Sequence, residues 1–510
     1  MPSVTEERSS TVVDVAICGG GPTGLATALL MKRLGVSVCV IDAKPASLEL
    51  GRADALNART QQYLELADLL GELIPQGITC NTSSTFGNGE FISRQNQWWV
   101  SLEHTLNKNF LMLGQPVVEK MLADKLGSDV HYGEQVASIS EDESGVSIVT
   151  STGRQVRSKY ALGADGARSM VRKAIGATFS GTKPEMLWAV LDTYIDTDFP
   201  RCPEIITFQL DGQSRVSWIP RERGLCRFYV LLEGQVSCEL AQQSIKDHMA
   251  PHKVEFTETV WYSTFDVKER IASTFQSKDG AGRIFLGGDA AHVHSVNGGQ
   301  GLNTGIADAF NLAWRLAMVI NEPSLGKEAA RTLLVSYDTE RRSTAQGVID
   351  VAAALVRDTV REAKTYVGTI EKNAGYITGM GVSYEACGSP LIQPSEHGIW
   401  KAGFRCPDMV IKPLSGGETR RLYSDVRYGK YLLLSIGKTE AAKESGHPVT
   451  KYSILAEGAT VDARSDKTFT GDWVAADDAF YVVVRPDMYI AFVSESLAAC
   501  EAHISKVFQS

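Results

Sequence analysis

Asp289 follows Gly287 and Gly288 at the end of the apolar run Ile284-Phe285-Leu286. In that pattern a buried strand delivers one carboxylate to its own tip. A second glycine cluster, Gly298, Gly299 and Gly301, lets backbone approach a flat or phosphorylated ligand where a Cβ would collide. Beyond it Ile306, Phe310, Ala313, Ala317 and Ile320 recur at helical spacing, which predicts a long helix from about Asn303. The free N–H groups and positive dipole end of that helix favour negative charge at the glycines. An anionic redox ring held there would be stabilised with little reorganisation, the logic of an oxyanion hole.

A second stretch supplies the other half of such a ligand site. The strand Asp14 to Cys18 runs into Gly19-Gly20-Gly21-Pro22-Thr23-Gly24, and Leu25 to Leu34 follows as helix. Gly19 permits the tight turn, Gly21 lets a pyrophosphate reach the helix N-terminus, and Gly24 lets the helix sit on the strand. A second strand, Val36 to Ile41, ends at Asp42, which is 42 − 24 = 18 residues past the last glycine. Its carboxylate is placed to accept the hydroxyls of an adenosine ribose. The fingerprint alone specifies a dinucleotide and leaves NAD and FAD open.

Between Gly176 and Gly282 the pattern turns to strands: Leu187 to Tyr194, Ile205 to Leu210, Val216 to Ile219, Cys226 to Leu232 and Val254 to Phe265. Such an insertion is expected to cover the reactive face of the cofactor and exclude water. Trp188, Trp218, Tyr229 and Trp261 are its aromatic candidates, with Trp218 and Tyr229 carried forward as pocket positions. Phe91 to Leu106, containing Trp98, Trp99 and His104, is a second candidate wall.

The residues themselves narrow the reading. G-D-A-A-H from Gly288, G-G-Q-G-L-N-T-G from Gly298 and D-A-F-N-L-A-W-R-L-A from Asp308 together resemble the flavin-docking segment of FAD-dependent aromatic hydroxylases. These are single-component monooxygenases of the p-hydroxybenzoate hydroxylase and phenol hydroxylase type. The resemblance implies that Gly288 and Asp289 meet the ribityl and pyrophosphate part of FAD, and that Gly299, Gly301, Leu302 and Asn303 meet the isoalloxazine. Gly51-Arg52-Ala53, Gln115 in Q-P-V-V-E, and Asp165-Gly166 resemble further cofactor segments of the family. They imply Arg52, Gln115 and Asp165 as cofactor contacts, although an ion pair of Asp165 with Arg168 would equally fix that turn. Arg59 reads rather as a helix brace. One departure stands out: Ser295 and Val296 occupy the place of a Pro-Pro pair whose backbone faces substrate and flavin in relatives. Both positions are candidate pocket residues.

By the same resemblance NAD(P)H reduces FAD without a Rossmann domain of its own, O2 adds at flavin C4a, and one oxygen atom passes to an electron-rich phenolic or indolic ring. Baeyer–Villiger insertion and indole epoxidation use the same cofactor segments, and a flavin oxidase or dehydrogenase is the alternative outside the class. No substrate-activating base is named by the sequence. Ser336-Tyr-Asp-Thr-Glu340-Arg-Arg342 matches a family helix whose charges are expected to brace helices. Arg485-Pro-Asp-Met-Tyr-Ile-Ala491 resembles the end of hydroxylases with a thioredoxin-like C-terminal domain. Without C-x-x-C, that domain is expected to be structural, with a homodimer interface as one use.

The expected architecture is therefore α/β: a Rossmann-like FAD-binding domain (1–180 and 281–375), with 80–105 contributing to the pocket. A β-sheet substrate insertion (181–280), a linker (376–402) and a thioredoxin-like domain (403–510) complete it. The chain's 510 residues, 44% of them hydrophobic, suffice for several cores. A net charge of -9 offers no basic footprint for nucleic acid or an anionic membrane. Nine cysteines without paired spacing read as reduced thiols. The polar start and the lack of a long apolar span predict a cytoplasmic protein. A second dinucleotide fingerprint and redox cysteine pair, as a disulfide reductase needs, are absent. His292-Val-His294 lacks further ligands at metal spacing.

Overall fold

The computed structural model describes residues 10–97, 102–183, 186–200, 203–211, 213–232, 234–295, 299–359, 363–439, 447–459 and 467–509. Trp98, Trp99, Val296 and Gly298 lie outside the described residues.

Among the described residues, three seven-stranded sheets organise the chain. The first takes Val130–Tyr132, Val38–Asp42, Ser10–Cys18, Gln155–Gly163, Gly145–Thr150 and Val136–Asp142 in that order, with Ile284–Leu286 added beside Gln155–Gly163. Its central strands are parallel, so both faces are covered, and they read as apolar runs rather than alternation. Val15 to Cys18 and Phe285 to Leu286 are fully buried. Helix Pro22–Arg33 starts on Gly21 with proline in its first turn, and it packs along helix Gln300–Asn321. Glycines set that approach: a Cβ on Gly305 or Gly288 would lie 2.3 or 2.5 Å from Thr23 Oγ1.

The second sheet runs Val254–Asp266, Leu187–Thr197, Cys226–Leu232, Gln213–Pro220, Ile205–Leu210, Thr82–Gly87 and Glu90–Gln97. Its last two strands come from the expected 80–105 contribution. Helix Cys238–Met249, unpredicted from the sequence, covers one face over Phe86, Leu191, Phe208, Trp218 and Phe228. The opposite face carries Asp192, Arg227 and Tyr229 towards the parallel sheet.

In the third sheet Tyr431–Ile436 lies parallel to Val449–Ala456 and antiparallel to Phe480–Val484, which pairs Ile490–Ser494. Helix Leu497–Gln509 closes this thioredoxin-like unit. Cys406 and Cys500 are buried free thiols. Helix Lys327–Thr359 precedes helix Ala363–Lys372, and residues 376–402 hold the end of helix Ala374–Thr378 and two short strands, Glu396–His397 and Trp400–Lys401. Among the described residues no helix is long and apolar enough to cross a membrane.

Candidate functional site

Parallel register gathers the signature residues at one edge. Cys18 is paired with Ile41 and with Gly163, and Gly163 with Leu286. The strand ends that lead to Asp42, Gly19, Asp165 and Asp289 therefore lie side by side at the carboxyl edge of one sheet, where α/β proteins bind ligands. Gly19 (φ 119°) turns tightly here, and a Cβ would meet the Ala164 carbonyl at 2.2 Å. A Cβ on Gly21 would meet nothing within 4 Å, so this glycine faces open space at the helix start.

Each carboxylate at the edge has a different setting. Asp42 accepts from the Gly20 N–H and, at 2.6 Å, from the Lys44 N–H, which fixes it beneath the glycine turn. Asp165 accepts from Ser169 Oγ at 2.5 Å and from the Met170 and Val171 N–H groups at 2.7 and 3.1 Å. It thus caps helix Met170–Ala174. Both oxygens of Asp165 point to the helix, and the strand tip expected to meet the cofactor presents its backbone there. Arg168 is exposed and is not its partner. Asp289 alone has a solvent-exposed carboxylate that is surrounded by protein mass, the setting of a cleft wall. Burial pushes its carboxyl above the ordinary value, while His292 and Arg52 pull it back.

Behind Asp289 stands Asp308, fully buried on helix Gln300–Asn321. It accepts from the Gly288 N–H at 2.9 Å, His292 Nε2 at 2.7 Å and Arg341 Nε at 2.6 Å. Burial alone would raise its carboxyl, but Arg341 and His292 hold it below the ordinary range. The expected brace from Arg341 thus fixes the strand-tip turn that presents Asp289. His294 is half-buried beside Gly301 of the same helix, its Nδ1 3.0 Å from the Ser295 carbonyl, and the surrounding protein lowers it to about 4, so it is neutral at pH 7.

Helix Gln300–Asn321 begins three residues before the predicted Asn303, on Gly299 in the left-handed region (φ 61°). Asn303 stitches its first turn: Nδ2 donates to the Ala55 carbonyl at 2.9 Å and the Gly299 carbonyl at 2.7 Å, and Oδ1 accepts from the Asn57 N–H at 2.9 Å. Gly301 is exposed beside buried Leu302. The carboxamide of Gln300 and the hydroxyl of Ser295 are buried with no partner. Gln115 clasps Ala53, its N–H donating to the Ala53 carbonyl at 2.8 Å and its Oε1 accepting the Ala53 N–H at 3.3 Å. Arg52, the neighbour, is held at φ 66°, strained for a side-chain-bearing residue.

The sheet above supplies Arg227 and Asp192, which local sequence patterns did not flag, beside the expected pocket position Tyr229. Arg227 is fully buried and bidentate to Asp192, both contacts at 2.6 Å. It also donates to the Arg52 carbonyl and stands 3.4 Å from Asp54. Tyr229 donates to Asp54 Oδ2 at 3.3 Å, and burial with Asp54 nearby raises its phenol, keeping it neutral. Trp218 is a correction. It pairs with Ile206 and Phe228 and stacks on Phe228 at 5.5 Å, on the face turned away from this site. His104, within the candidate wall segment, uses its carbonyl to accept from Arg405 and the Asp408 N–H, so its backbone ties down the C-terminal segment. Arg59, expected as a brace, reaches Tyr423 OH and the Asp487 carbonyl, both at 3.0 Å.

FAD fits the arrangement. Open space at Gly21, the cleft-facing Asp289 and unpartnered donors at Gln300 and Ser295 lie where a dinucleotide crossing the strand tips would need them. For FAD-free protein, Asp289→Asn is expected to raise the melting temperature at neutral pH. The raised folded value means the native state disfavours the carboxylate above pH 3.8, so the gain should fade as acid protonates Asp289. Thermal melts across pH check it.

A family model described as FAD binding domain matches residues 12–352. An FAD-dependent monooxygenase of Aspergillus terreus is 33% identical over 395 residues, 69% of this chain and 53% of that protein. Phenol 2-monooxygenase fsqG of Aspergillus fumigatus is 30% identical over 407 residues, 74% of this chain and 66% of that protein. The chain thus spans between half and two thirds of these relatives' lengths. Aklavinone-11 hydroxylase, solved with FAD and aklavinone, superposes with a TM-score of 0.79 at 23% identity, covering 98% of this chain and 99% of that one. That likeness establishes the shared fold.

Proposed function

The chain belongs to the FAD-dependent aromatic monooxygenases, and from that premise we propose that it hydroxylates an aromatic small molecule with NAD(P)H and O2. The balance is one ring C–H, O2, NAD(P)H and a proton giving the hydroxylated ring, NAD(P)+ and water. The observation that carries the proposal is the row of strand tips at Gly19, Asp42, Asp165 and Asp289 under one sheet edge, facing the start of helix Gln300–Asn321.

We assign the adenine half of FAD to Gly19, Gly21, Gly24 and Asp42. The ribityl and ring half falls to Arg52, Gly288, Asp289, Gly299, Gly301, Leu302 and Asn303, with Gln115 acting through Ala53. When bound, FAD supplies electron transfer from NAD(P)H to O2 and oxygen delivery to the ring. The chain's own part is environment. The helix N-terminus stabilises negative charge, and the overlying sheet excludes water. Tyr229 and Asp54 take a proton from a substrate phenol: the phenol donates to the neutral Tyr229 oxygen, and Tyr229 passes its proton to Asp54. The resulting phenolate pushes electron density onto the ring carbon that receives oxygen. We further propose the division into cofactor segments 1–180 and 281–375, a substrate insertion at 181–280 and a C-terminal unit at 403–510.

Purified protein is expected to carry FAD at one per chain, and Asp289→Ala to retain the far-UV circular dichroism of the native chain while losing at least ten-fold in FAD affinity. Full FAD occupancy of that variant in dialysed protein would remove Asp289 from the site.

A further inference from the structure

Cross-strand register on the second sheet lines up four hydroxyl side chains. Tyr229 lies opposite Ser217, Ser217 opposite Thr207, and Thr207 opposite Thr85. Their strand neighbours Phe228, Trp218, Phe208 and Phe86 fill the core beneath helix Cys238–Met249. Alternation therefore turns the whole row to the opposite face, the one that sets Tyr229 beside Asp54. At ~4.8 Å per strand, the row extends about 14 Å from Tyr229 to Thr85.

The row is neither solvent-free core nor open surface. Ser217 and Thr207 are half-buried and Thr85 is 6% exposed. Their hydroxyls make no hydrogen bond among the described residues, yet none is sealed away as a buried unpartnered oxygen. Apolar clusters flank the row on both sides. One joins Ile205 and Ile219 to Phe110 and Leu355, and the other joins Trp188 and Leu231 to Val356. Trp188 adds a buried indole N–H with no partner. Helix Lys327–Thr359 crosses from one cluster to the other, giving Val351 and Leu355 to the first and Val356 to the second. Between those residues it carries only the small side chains of Ala352, Ala353 and Ala354. Hydroxyls that are reachable, unpaired and walled by apolar side chains are the lining of a ligand groove.

We propose that this row is the floor of the substrate site, and that the substrate is an elongated fused-ring aromatic with several oxygen substituents. Its reacting phenol sits at Tyr229 and Asp54, and its remote oxygens sit on Ser217, Thr207 and Thr85. A single phenol would reach only the first position of the row. The proposal rests on the aromatic monooxygenase reading and adds the size and polarity of the substrate.

Equilibrium dialysis of the FAD-loaded enzyme against emodin, a trihydroxylated three-ring quinone, and against unsubstituted anthraquinone tests it. The native enzyme is expected to bind emodin at least about tenfold more tightly, as two or more added hydrogen bonds imply. Ser217→Ala combined with Thr207→Val should shrink that ratio by about tenfold. Equal affinity for the two probes in the native enzyme, or an unchanged ratio in the double variant, overturns the proposal. Hydroxylation of phenol by an enzyme that shows no such preference would leave the monooxygenase reading standing and remove the groove. An FAD-loaded enzyme that oxygenates no aromatic would remove both.

Discussion

Arg485→Met is expected to lower the free energy of unfolding by about 3–5 kcal/mol, the cost of breaking a buried ion pair from one side. Arg485 is fully buried. It donates to Glu340 at 2.5 and 2.8 Å and to Asp487 at 2.6 Å. Arg315 completes the cluster at 2.7 Å from Glu340, with Ser389 Oγ donating at 2.6 Å. Without Arg485, two buried carboxylates share one guanidinium. The pH dependence gives the second signature. Burial would raise the Glu340 carboxyl, but Arg315 and Arg485 hold it below 4.5. A depressed folded value stabilises the native state above the unfolded value, and that stability is lost as pH falls through the folded one. The deficit of the variant should therefore be largest at neutral pH and narrow below pH 4.5. Denaturant unfolding at pH 7 and pH 4 measures both. Because the cluster joins the C-terminal turn Arg485–Asp487 to Asn311 and Arg315 on the cofactor helix, FAD should also be released earlier in the melt.

The largest effect on turnover is expected from Tyr229→Phe. Removing the hydroxyl that donates to Asp54 at 3.3 Å takes away the first proton acceptor for a substrate phenol. General base catalysis contributes about 10²- to 10⁴-fold, and product formation should fall within that range. Consumption of NAD(P)H and O2 should persist and end as hydrogen peroxide, because cofactor contacts are untouched. Product assayed alongside peroxide separates this from a folding defect, which would lower both rates together.

What the sequence made legible is local. Glycine turns, strand tips and the helix start are written in consecutive residues, so Gly19 to Asp42 and Asp289 to Asn303 could be assigned before any fold was in hand. Family resemblance added Arg52 and Gln115. Facing was harder to read: Trp218 and Tyr229 sit on strands of similar composition, and only the pairing of Tyr229 with Ser217 and of Trp218 with Phe228 shows that they point opposite ways. Long-range charge pairing was invisible, since Asp54, Asp192 and Arg227 are each unremarkable within their own segments. The same holds for Asp308, whose importance appears once Gly288, His292 and Arg341 converge on it. The motif at Asp165 placed the strand tip but not the direction of its carboxylate, which caps helix Met170–Ala174.

Turnover of an aromatic substrate under isotopically heavy O2 tests the central claim most directly. The account predicts one heavy oxygen atom in each hydroxylated product molecule, in step with NAD(P)H consumed. Heavy oxygen found only in peroxide and water, with the aromatic compound recovered unlabelled, would contradict it.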